Sequence, residues 1–196
     1  KKKYNFLNII PWEILKSEIK HFDIIINATS LGLKDADDFD SELGDALIAV
    51  DFGTVDGTNL TAKSLACGYV YTCALLSDDT IKWWGYNSKG QLGQGNTATI
   101  GDGAGEMGNA LVAVDLGTGL TAKSVLCGDE HTCAVLSDAT IKCWGYNRKG
   151  ELGQGNTDAI GDEVGEMGDN LAPVDLGTDG SGNNLTAKSL ACGYQY

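Results

Sequence analysis

Proline is scarce, with two in 196 residues, and no stretch approaches the roughly twenty apolar residues of a helical membrane span. The first shortage excludes a collagen-like or proline-rich linker chain, and the second gives no expectation of a membrane span. Basic residues are also few: 14 Lys and Arg stand against 27 Asp and Glu, for a formal charge of −13. That charge is uneven, because residues 1–40 carry 6 basic and 7 acidic groups while residues 41–196 carry 8 and 20. So acidic a surface repels phosphate backbones, which argues against nucleic acid or anionic lipid as partner and favours calcium or a basic protein. What is plentiful is glycine, with 27 residues against a usual share of about 7%, and hydrophobic residues at 42%, enough for a packed core in a chain that turns often.

Residues 1–41 read differently from the rest. Lys1 to Pro11 has a basic head but only a short apolar run broken by Asn8, with no small-residue cleavage site, so it does not read as a signal peptide. Trp12, Ile14, Leu15, Ile19 and Phe22 suit one face of a short helix, and Phe22-Asp23-Ile24-Ile25-Ile26 is a run of buried parallel-strand type. This α/β pattern continues into Asn27-Ala28-Thr29-Ser30-Leu31-Gly32-Leu33, and the stretch resembles the late Rossmann strand and loop of shikimate dehydrogenase. The resemblance implies an NADP-dependent oxidoreductase in which Asn27 and Thr29 are remnants of a cofactor pocket. Against that activity, no glycine-rich phosphate-binding turn precedes the strand. The switch near Ser41 has no linker, so the two parts read either as a fusion or as a mis-assembled join.

Residues 42–196 are repetitive. Residues 60–111 and 120–171 align at an offset of 60 without a gap, identical at 36 of 52 positions. A third copy starts at Leu185 and matches residues 60–69 through Tyr194. The sequence stops two residues later, at Tyr196, inside this copy, so the parent protein is expected to continue. Within one period four short strands are expected, at residues 111–116, 122–127, 131–136 and 140–144, separated by turn-forming Gly-Thr-Gly, Gly-Asp-Glu, Ser-Asp-Ala and Gly-Tyr-Asn. Four strands per period of this length is the pattern of a propeller blade, and no window keeps the 3.6-residue spacing of a helical solenoid.

The wording of the repeat is specific. Cys127-Gly128-Asp129-Glu130-His131-Thr132-Cys133-Ala134, then Cys143-Trp144-Gly145-Tyr146-Asn147 and Gly150-Glu151-Leu152-Gly153-Gln154-Gly155, strongly resembles the regulator of chromosome condensation repeat; the first copy matches through Cys67-Gly68, Thr72-Cys73-Ala74, Trp84-Gly85-Tyr86-Asn87 and Gly90-Gln91-Leu92-Gly93. The resemblance implies an all-β, partial β-propeller of two full blades and part of a third, preceded by the short α/β Rossmann-like fragment. Blade 1 is expected at about 45–109, blade 2 at about 110–170 and the partial blade at about 171–196. It also implies a non-enzymatic scaffold that docks a protein partner.

Read singly, Trp84 and Trp144 precede a glycine at a strand end, suiting large rings that close each blade, while the glycines permit close approach or positive φ. Length varies between copies only at residues 55–59, 119 and 179–184, as surface loops do. The loop at 160–169 is acidic and glycine-rich; calcium is weighed for it, but its carboxylates lack the spacing of a known calcium loop, and a solvated acidic face is the stronger reading.

The six cysteines occupy repeat-equivalent places. If residues 137–139 turn a hairpin, Cys133 falls opposite Cys143 at the separation a disulfide requires, whereas Cys73 faces Trp83. Cys67, Cys127 and Cys192 read as small buried residues. A zinc set of Cys127, His131, Cys133 and Cys143 is disfavoured, because its spacing is unfamiliar and the first copy has Tyr71 and Trp83 at two of the four places. His131 reads as a strand residue. No nucleophile set converges, so neither catalysis, cofactor nor metal is expected. Paired cysteines and the sequons at Asn59 and Asn184 suit an oxidising exterior, the dehydrogenase-like start suits the cytoplasm, and the compartment stays open.

Overall fold

The structure, a computed structural model, describes residues 49–193, which lie in one compact unit, Ala49–Tyr196. The dehydrogenase-like stretch, with Asn27 and Thr29, and the join near Ser41 lie outside the described residues.

A short hairpin, β1 (Thr54–Val55) and β2 (Thr58–Asn59), comes first. Its Asp56-Gly57 turn has positive φ at both residues, the two-residue geometry that matches strand twist. Two three-stranded antiparallel sheets follow. The first has β3 (Ala62–Cys67), β4 (Tyr71–Leu76) and β5 (Ile81–Gly85) in that order. The second has β6 (Ala122–Cys127), β7 (His131–Leu136) and β8 (Ile141–Gly145). Each sheet carries the same register shift in its first strand, between Ala62 and Ser64 and between Ala122 and Ser124. The architecture is thus all-β among the described residues, with helix limited to two short 3-10 turns, Gly108–Ala110 and Gly168–Asn170.

Side-chain alternation along the central strands builds the stack. From β4, Tyr71, Cys73 and Leu75 enter one cluster, while Ala74 and Leu76 enter another with Phe52. From β7, Ala134 and Leu136 face the first sheet, whereas Cys133 and Val135 turn to the opposite side and meet Ala187, Leu190 and Cys192 of the third copy. A period of two therefore places each sheet between two apolar layers. Large rings fill the layer between the sheets: Trp83 lies edge-on to Trp144 at 5.7 Å, both fully buried.

Two expectations need correction. Residues 111–116 are not a strand and do not extend the second sheet. They run extended beside β5, with one ladder bond from the Val114 amide to the Ile81 carbonyl. Other polar groups there are tied elsewhere: Asp115 accepts from the Gly117 amide, and the Leu116 carbonyl accepts from Lys142. Each sheet therefore has three strands plus this appended segment, taken from text assigned above to the next blade. Residues 174 and 141 repeat the bond. The third copy, residues 185–193, is not a strand either. In the complete copies this text pairs with β4 or β7, and no such partner occurs among the described residues. It keeps one equivalent contact, the Ala187 amide on the Ala139 carbonyl, matching Ala122 on Asp79.

Candidate functional site

Four features hold chemistry-bearing side chains among the described residues: the inter-sheet junctions, the buried lysines, the acidic loops and the cysteines. At the first junction the loop after β5 reaches the second sheet. The Gln91 carbonyl accepts from the Trp144 indole at 3.2 Å and from the Thr132 hydroxyl at 3.2 Å. Tyr71 donates to the His131 carbonyl at 2.5 Å, and burial pushes its phenol well above the usual range. Gly93 is required here, since a Cβ on it would meet Trp144 Nε1 at 2.8 Å. Trp144 thus closes its sheet as expected, while the equivalent Trp84 is only partly buried and leans on Phe52 at 5.9 Å. In the first sheet the deeply buried ring is Trp83.

The loop is shaped by Asn87 and Asn147, both fully buried. Asn147 Oδ1 accepts from the Leu152 amide, and its Nδ2 donates to the carbonyls of Asn156 and Asp158. Asn87 repeats the pattern with Leu92 and Asn96. These two asparagines and the lysines below were not singled out by sequence. The signal was their identity in both copies, although identity alone does not say whether a polar residue faces in or out.

Lys82 and Lys142 are buried and make no ion pair within salt-bridge distance among the described residues. Lys142 Nζ donates to the carbonyls of Leu116 at 3.0 Å and Gly168 at 2.8 Å, and Lys82 to those of Phe52 and Gly108. Each clamps a 3-10 turn to an extended segment. Burial lowers the Lys82 pKa, with Asp78 and Asp51 opposing. Their task is structural, satisfying carbonyls that no strand reaches.

The acidic loops spend part of their charge internally. Glu166 Oε2 accepts from the amides of Gly161 and Glu163, and Glu106 Oε2 from those of Gly101 and Gly103, which holds the Glu106 carboxyl below its ordinary range. Asp169 accepts from the Thr118 amide and hydroxyl. Asp102, Glu163 and Val164 project to solvent, with Val164 at 93% exposure. No group of three carboxylates converges among the described residues, so the calcium idea gains no site.

Cys133 and Cys143 are directly opposed on β7 and β8, Cα atoms 4.1 Å apart, and are joined as a disulfide. The four cysteines Cys67, Cys73, Cys127 and Cys192 are free thiols. Cys67 is exposed rather than buried, while Cys127 and Cys192 are partly buried. Burial raises the thiol of Cys192 to about 11 and that of Cys127 further. The weighed zinc set does not assemble: among the described residues the ligand atoms that converge are those of His131, Cys133 and Cys192, within 4.8 Å of one another. Cys127 lies instead against Cys73, and Cys133 is committed to its disulfide, so no thiolate pair with His131 is presented. A cavity of about 300 Å³ beside these residues is lined mainly by apolar groups of β7, β8 and the third copy, with Glu151 at its edge. Burial lowers the His131 pKa, while Glu151 and Asp129 pull the other way.

Residues 62–91 and 122–151 match the Regulator of chromosome condensation (RCC1) repeat. The chain is 30% identical over 136 residues to the Ultraviolet-B receptor UVR8 of Arabidopsis thaliana, covering 68% of this chain and 26% of that protein. It is 40% identical over 81 residues to the Protein RCC2 homolog of Danio rerio, covering 39% of this chain and 14% of that protein. The solved structure of human WBSCR16 superposes with a TM-score of 0.45 at 18% identity, covering 66% of this chain and 29% of that one. Two stretches of the chain thus match the RCC1 repeat, and the chain spans about a quarter or less of the length of these curated relatives.

Proposed function

We propose that this chain is part of a non-catalytic propeller scaffold that presents its repeated acidic loops, residues 101–107 and 161–167, to a basic protein partner. The observation that carries this reading is the split use of charge in those loops. Glu106 and Glu166 turn inward and fix the backbone, so Asp102 of the first loop and, one position further along, Glu163 with Val164 of the second are displayed on pre-shaped turns in successive repeats. A fixed acidic turn with an apolar tip suits a lysine- or arginine-bearing surface and repels nucleic acid. The matches to the RCC2 homolog and UVR8 support a role in protein interaction or regulation, while each whole protein's activity is its own.

The test compares the parent protein with its Asp102→Lys, Glu163→Lys double variant in affinity capture from its cell of origin. We expect a basic protein bound by the parent and at least about tenfold depleted with the variant, with binding weakened by salt. Equal recovery with both proteins, or turnover of a small-molecule substrate, would count against the proposal. The dehydrogenase alternative rests on residues 1–41 alone, and saturable binding of NADP would revive it.

A further inference from the structure

At the junction of the two sheets, Cys73 of β4 and Cys127 of β6 face each other with their sulfurs 3.2 Å apart. That is about 1 Å beyond the length of a covalent S–S bond. Both are free thiols. Cys73 is fully buried in the inter-sheet cluster, and Cys127 packs on the same cluster while keeping some exposure.

The repeat explains why this pair meets. Across β7 and β8, Cys133 finds Cys143; across β4 and β5, Cys73 finds Trp83. Without a partner in its own sheet, Cys73 points along its side-chain direction into the next sheet, where the first strand brings Cys127. A similar approach recurs one repeat later, where the Cys192 sulfur lies within 4.8 Å of that of Cys133.

We propose that Cys73 and Cys127 form an inter-sheet disulfide under oxidising conditions, a covalent bond from one repeat to the next. With a low-molecular-weight disulfide such as oxidised glutathione as oxidant, the Cys127 thiolate attacks one of its sulfurs and expels one glutathione thiolate. The Cys73 thiolate then attacks Cys127 Sγ in the mixed disulfide and expels the second. Two protein thiols lose two protons and two electrons, and one glutathione disulfide becomes two glutathiones. Cys73 needs no access of its own, because its step is intramolecular.

The full chain is equilibrated in a glutathione redox buffer in which Cys133–Cys143 is closed, then acid-quenched and alkylated with N-ethylmaleimide. Cleavage after Glu130 and after Tyr69 or Tyr71 separates Cys127 from Cys133 and Cys67 from Cys73 before mass spectrometry. We expect a linked peptide pair joining Cys73 to Cys127. The same oxidation in urea should instead favour the short loops Cys67–Cys73 and Cys127–Cys133, so the Cys73–Cys127 share should rise about tenfold or more in the native protein. Cys67→Ser, at an exposed position, should leave that yield unchanged. Alkylation of both Cys73 and Cys127 while Cys133–Cys143 is closed would overturn the proposal. So would a native pairing pattern equal to that in urea.

Discussion

Ala139 adopts φ of 66° in the tight turn between β7 and β8, where the first copy has Asp79 at the same angle. An alanine there meets its own carbonyl in the left-handed region, at about 1 kcal/mol or more, whereas glycine does not. Ala139→Gly should therefore stabilise the chain by about 0.5–1 kcal/mol, read as a higher urea midpoint with unchanged slope. His131 sets a pH dependence. Its folded-state pKa is depressed mainly by burial, so between that value and the unfolded value of about 6.5 the unfolded chain binds more protons. Stability then rises with pH, and falls as pH drops below about 6.5. His131→Tyr, which installs the first copy's residue, should flatten that part of the melting-temperature profile. An identical slope in both proteins would remove His131 as its source.

The 3-10 turns and the extended segments they anchor depend on a side chain more than on a ladder. Replacing Lys142 by Met keeps the aliphatic stem and strands the carbonyls of Leu116 and Gly168, for an expected loss of about 2–4 kcal/mol in urea denaturation. That dependence also explains what the sequence hid. The strands β6 and β7 were legible because short runs lie between turn-forming Gly and Asp, and pairing of Cys133 with Cys143 followed from hairpin register. Residues 111–116 form a similar short run between turns, yet the local sequence does not reveal that a distant lysine, rather than a neighbouring strand, takes a carbonyl. Likewise Cys127 read as a small buried residue, and the local Cys/His set around it was disfavoured. Its neighbour, Cys73, is 54 residues away, and no local spacing shows that juxtaposition.

At the scale of the whole molecule, the apolar layers are shared between neighbouring copies, so stability should grow by repeat plus interface. The second sheet's far face, with Val135, Ile141 and Leu152, is covered among the described residues by Ile160, Val174 and, from the third copy, Ala187, Leu190 and Cys192. A chain extended by a complete third copy should unfold at higher urea, with a denaturant slope raised by about a quarter to a half, and should associate less with rising concentration. An unchanged midpoint would mean that the sheets are stable one by one. The Gln91 carbonyl also binds the indole and hydroxyl of the following unit. Each unit is thus finished by the one before it, and an array made of such units lengthens by simple gene duplication, every added copy arriving with its fit to both neighbours already written.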